Sequence, residues 1–135
     1  MSHYRYNILL RFLLVAIGLS GSSAFAANKM VELTISGDPG QNFSGDCYLK
    51  QRTGPLQRHR VKGQVPARFL FPALAFRCNL EKQEATGSLV ATIIRDGIKE
   101  HVQKSRYPLK WVVVQSSGPW GHANGAVFAS RPILR

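Results

Sequence analysis

The chain has 135 residues, with 18 Lys and Arg against 7 Asp and Glu and a formal charge of +11. That length suits one domain with a single core once a targeting segment is set aside. Its two cysteines lack the CxxC-like or His-rich spacing of a metal site, and its charge points to anionic rather than cationic partners.

Residues 1–26 read as a cleavable signal peptide. Arg5 and Arg11 make a positive start, Phe12 to Leu19 (FLLVAIGL) is an apolar core, and Ala24-Phe25-Ala26 has the small-x-small form of a cleavage site. A spanning helix needs about 20 apolar residues, and Arg11 interrupts the longest candidate. No cysteine lies near the cleavage site, which excludes a lipoprotein anchor. The mature protein is expected to begin at Ala27 or Asn28.

After the cleavage site, Val31, Leu33 and Ile35 alternate with polar residues, as in a half-buried strand. Ser36-Gly37-Asp38-Pro39-Gly40 breaks it. Gly45 to Gln51 is the second strand, with Cys47 and Leu49 on one face. Leu56 to Lys62 is a mostly polar third, and Arg68 to Phe71 a short fourth with Phe69 and Phe71 on one face. Phe76, Cys78 and Leu80 mark the clearest amphipathic strand. Leu89 to Ile94 is apolar on both faces apart from Thr92, which suits a central strand covered on both sides. Asp96-Gly97 is a two-residue hairpin turn that returns the chain through Ile98 to Val102. Leu109 to Gln115 is the last long strand.

Seven or eight short strands with turns every 8–12 residues or so predict a small antiparallel β-sandwich, with a small β-barrel as the alternative. The expected organisation is a signal peptide over 1–26, a β-sandwich over 27–115 and a Gly-rich basic tail over 116–135. Within the tail only Val127 and Phe128 suggest a short edge strand. Cys47 and Cys78 fall on the apolar faces of their strands, and the export signal implies an oxidising compartment, so a disulfide is expected.

The basic segment carries the functional argument. Arg58, Arg60 and Lys62 alternate, so an extended strand presents them on one face, with Arg52 and Arg68 nearby and no acidic residue between Cys47 and Leu80. Such a ridge suits a polyanion, either a lipid headgroup surface or an acidic glycan, or else an envelope protein. The competing explanation is an edge strand whose charges deter sheet-to-sheet pairing. Export disfavours nucleic acid as the partner. Tyr48 beside Lys50 and Phe69 beside Arg68 are candidate stacking aromatics, although aromatic strand residues are usually core.

Signals for chemistry are sparse. His59, His101 and His122 do not share metal-ligand spacing, so neither a metal nor a cofactor is expected. No two of Glu32, Asp38, Asp46, Glu81, Glu84, Asp96 and Glu100 stand out as a catalytic pair, and there is no Gly-x-Ser-x-Gly turn. Trp120, within Gly118-Pro119-Trp120-Gly121, is read as folding back over the edge of the sandwich. Val61 to Phe71 (VKGQVPARFLF) and Ile93 to Glu100 (IIRDGIKE) are similar in architecture to small exported sandwich domains, such as the MmpS family of transport-accessory proteins of actinobacteria. That family keeps a membrane anchor where this chain is expected to lose one, and no site residue is carried over. The sequence therefore predicts a periplasmic or secreted, non-enzymatic binding or accessory module. The alternative is a small secreted hydrolase or lytic factor.

Overall fold

A computed structural model describes residues 30–133, so the expected signal peptide lies outside the described residues. Wherever apolar residues recur with period two, the chain is extended. The strands are β1 (Val31–Gly37), β2 (Asn42–Lys50), β3 (Gln57–Gln64), β4 (Ala67–Phe71), β5 (Ala75–Lys82), β6 (Leu89–Arg95), β7 (Ile98–Lys104), β8 (Trp111–Gln115) and β9 (Asn124–Phe128). No helix occurs among the described residues. One antiparallel sheet has the order β4-β1-β6-β7 and the other β3-β2-β5-β8-β9. The two sheets share no strand, so the fold is a sandwich rather than a barrel.

The inward residues of both sheets form one core. Val31, Leu33 and Ile35 of β1 and Leu89, Ala91 and Ile93 of β6 meet Phe43, Leu49, Phe76, Leu80, Val112 and Val114 of the larger sheet, all buried. Phe76 is fully buried, and its ring lies 5.2 Å from that of Phe71. Phe69 packs partly buried against this core, its ring stacked on that of Phe71, and so belongs to the interior.

Cys47 and Cys78 are directly opposite on the neighbouring strands β2 and β5, with their Cα atoms 4.1 Å apart, and they are bonded. The bridge thus lies within one sheet, on its buried face. Asp96 and Gly97 both have positive φ, 52° and 76°, as a type I′ hairpin requires, and they join β6 to β7.

Two features depart from the pattern read in the sequence. β6 is central in its sheet but covered on one side only. Val90, Thr92 and Ile94 face outward and are half-buried, with no further strand layer over them among the described residues. The stretch from residue 116 carries β9, which forms the edge strand suggested at Val127 and Phe128 but is longer, and pairs with β8 from Trp111↔Phe128 to Gln115↔Asn124. Gly125 makes this closure possible. A Cβ there would stand 2.8 Å from both His101 Nε2 and Gln103 Oε1, side chains of β7 in the other sheet.

Buried polar groups tie the ends of the sandwich. Lys82 is fully buried, and its Nζ donates to the carbonyls of Ala85 and Gly87 at 3.0 and 2.8 Å, clamping the β5–β6 loop. Desolvation lowers its pKa below the ordinary 10.5, although the negative charge of Asp38 opposes this. At the other end, Glu100 accepts from Arg95 Nε at 2.7 Å, Ser117 N–H at 2.9 Å and Ser117 Oγ at 2.5 Å.

Candidate functional site

The outward face of the larger sheet is a grid of side chains set by strand register. One row runs Arg58, Tyr48, Arg77, Gln115, Asn124 from β3 to β9. The next runs Arg60, Asp46, Asn79, Val113, Ala126, and the third Lys62, Ser44, Glu81, Trp111, Phe128. Arg58, Arg60 and Lys62 therefore do project to one side, from a strand at the sheet edge. The alternation that aligns them also turns Val61 into the core.

The expectation that no acid lies near these cations is corrected by strand pairing. Asp46 stands opposite Arg60 and is approached by three arginines. Arg58 donates to its Oδ1 from Nε at 3.1 Å, and its Nη2 lies 3.0 Å from the same oxygen. Arg60 Nη1 is 3.8 Å from the same oxygen, and Arg131 Nη2 is 3.3 Å from Oδ2. The carboxylate is only 2% exposed, whereas the three arginine side chains are 59–61% exposed. Asp46 is thus a buried anchor beneath solvent-facing cations. One carboxylate among three guanidiniums leaves the cluster strongly positive.

Aromatic rings interleave with these charges. The Arg131 guanidinium lies 5.9 Å from the centroid of the Trp111 ring, and that of Arg77 lies 5.0 Å from Trp120. Trp120 therefore folds back onto the sandwich, as read from the sequence, but over Arg77 of the central strand β5 rather than over the edge. Two concavities indent this face. A cleft of about 550 Å³ is lined by Lys62, Lys110, Ser44, Glu81 and amide side chains including Gln64 and Gln83. A smaller groove of about 130 Å³ lies between Ser44, Asp46, Arg60, Glu81, Trp111 and Arg131. Glu81 is paired with Lys110 at 3.5 Å.

The two supporting arginines lie elsewhere. Arg52 is exposed in the turn after β2. Arg68 sits on β4 in the other sheet and pairs with Glu32, and that hydrogen bond, offset in part by burial, holds the Glu32 carboxyl below its usual value. Of the five residues, the structure gathers only Arg58, Arg60 and Lys62. Arg131, Trp111 and Arg77 join them from distant positions. In the sequence Arg131 stood only within the Gly-rich basic tail, which gives no hint of where that segment folds.

Among the described residues, no three His, Cys, Asp or Glu side chains gather as metal ligands, and no helix is long and apolar enough to cross a membrane. The disulfide fits a protein working outside the reducing cytoplasm. Compared with protein-family models, with curated proteins and with solved structures, the chain gives no match. The architectural resemblance seen in the sequence therefore brings no family with it.

Proposed function

We propose that this protein is a periplasmic or secreted binding module without catalytic activity, and that it contacts an anionic envelope component through the outward face of its larger sheet. One observation carries the reading: Arg58, Arg60 and Lys62 stand in line on that face, joined by Arg131. Residues two apart along a strand repeat about every 7 Å, a spacing on the scale of charges along a polyanion or across a headgroup surface. Guanidiniums recognise phosphates and carboxylates through paired N–H donors. The half-exposed rings of Trp111 and Tyr48 supply apolar contact between the charges.

A rival reading, a small secreted hydrolase or lytic factor, has one foothold. Asp46 and Glu81 line the same small groove. Against it, both oxygens of Asp46 are engaged by arginines and Glu81 pairs with Lys110, so the carboxylates act as anchors for cations. We favour the binding role.

The test compares wild type with the triple variant Arg58→Gln, Arg60→Gln, Lys62→Gln on phosphatidylglycerol vesicles at low and moderate salt. Wild type should bind, binding should weaken steeply with salt, and the variant should bind far less. β3 is an edge strand, so its charges also serve to deter strand pairing. Monomer content is therefore measured alongside. A variant that binds as well as wild type, or a wild type with no salt-sensitive binding, would overturn the proposal.

A further inference from the structure

We infer that the arginine cluster around Asp46 is a site for a phosphate monoester; the inference rests on the anion-binding reading above and names the group that the face recognises best. The three arginines are not used equally by Asp46. Arg58 brings both Nε and Nη2 within about 3.1 Å of Oδ1 and is the most engaged of the three. Arg60 is held close by charge alone, its Nη1 lying 3.8 Å away and beyond hydrogen-bonding distance. Arg131 gives one nitrogen, Nη2, to Oδ2. Arg60 and Arg131 therefore keep most of their N–H donors, and both line the 130 Å³ groove.

The charge and size of this groove select the ligand. Three guanidiniums around one carboxylate leave two positive charges unbalanced, and Glu81 in the same groove is matched by Lys110. A phosphate monoester carries about −1.5 to −2 at neutral pH and presents three acceptor oxygens. A phosphodiester or a carboxylate brings a single negative charge. The groove has room for a tetrahedral group, since one water occupies about 30 Å³ in the liquid. Trp111 lines the groove, and the Arg131 guanidinium lies 5.9 Å from its ring centroid, within cation–π reach.

Asp46 has an organising role here. Without it, three like charges, two on β3 and one on the segment after β9, would spread into solvent. With it, the two under-used forks converge before any ligand arrives, so less ordering is required on binding.

The experiment uses the full mature chain and vesicles of phosphatidylcholine containing either phosphatidic acid, a monoester, or phosphatidylglycerol, a diester, matched for surface charge. The expected result is about tenfold tighter binding to phosphatidic acid. The variant Arg131→Gln lies outside the basic strand. As it also takes one cation from the binding face, it should weaken binding to both vesicles, but it should remove the preference, so that the two lipids bind within about twofold of each other. Inorganic phosphate is titrated in parallel, with thermal melting as the readout. Saturable stabilisation by phosphate that is lost in Arg131→Gln supports the site whatever molecule carries the group. Equal binding to the two lipids with no stabilisation by phosphate overturns this inference and leaves the polyanion reading standing. A preference for phosphatidic acid that survives in Arg131→Gln also overturns it. No salt-sensitive binding to either vesicle, and no effect of phosphate, overturns both.

Discussion

Replacing Asp46 by Asn removes one negative charge from beneath three arginines with little change in volume, and the cost can be worked from the contacts. Hydrogen bonds to charged groups contribute about 1.5–3 kcal/mol each when well formed. These arginine side chains are 59–61% exposed, so water screens them toward the roughly 0.2–1 kcal/mol of surface pairs. With three partners, and an Asn oxygen still able to accept from Arg58, the expected loss is about 2 kcal/mol. For a domain of this size that lowers the melting temperature by about 8 °C, at roughly 4 °C per kcal/mol. Denaturant unfolding measures the free energy directly. A double-mutant cycle with Arg131→Gln should show a coupling of about 0.5–1 kcal/mol, because the two side chains touch. If Asp46→Asn unfolds within about 0.5 kcal/mol of wild type, or the cycle shows no coupling, Asp46 does not anchor the cluster and the reasoning fails.

The other expectations are more local. Reducing the Cys47–Cys78 bond, which spans 31 residues, should cost about 3.5 kcal/mol by loop closure, and unfolding with and without reductant checks this. Phe76→Ala should cost about 3–5 kcal/mol, since the ring is fully buried; a loss below about 1 kcal/mol in chemical denaturation would contradict the packing. Burial alone would raise the pKa of Glu100, but hydrogen bonds from Ser117 and Arg95 outweigh it and hold the carboxyl below 4.5. Its contribution is complete above the unfolded value near 4.5 and is lost as pH falls through the lower folded value. On acidification through that range wild type should therefore lose more stability than Glu100→Gln, and parallel pH profiles would count against this. Intact-mass measurement on protein from its native compartment should find a chain starting at Ala27 or Asn28, and retention of residues 1–26 would revive the anchor reading.

The fold was legible because its signals are local. Period two placed the strands carrying Val31, Cys47 and Phe76, a continuous apolar run placed the one carrying Leu89, and Asp96-Gly97 named its own turn. What stayed hidden depends on which strands become neighbours. Asp46 lies twelve residues before Arg58 in the chain, and nothing local says that the two face each other across a pair of strands. Arg131 is more distant still, since its position depends on β9 adding to the sheet edge. The apolar run likewise showed β6 to be apolar on both faces, but it cannot say whether a second layer covers the outer one. The basic ridge was readable as a ridge. Its anchor, its third arginine and its groove are products of tertiary assembly.

Pulled by its ends, this sandwich would not unravel evenly. Tension entering along β2 passes through the sulfurs at Cys47 and Cys78 straight into β5 and bypasses everything between them. The bypassed loop holds β3 and β4, one edge strand from each sheet. At about 3.3–3.6 Å per extended residue, the 31-residue separation withholds roughly 100 Å of contour length that only reduction releases. Arg58, Arg60 and Lys62 all lie on that unloaded segment. A molecule stretched between two attachments in an oxidising compartment would then keep its basic strand slack while the rest of the chain bears the load.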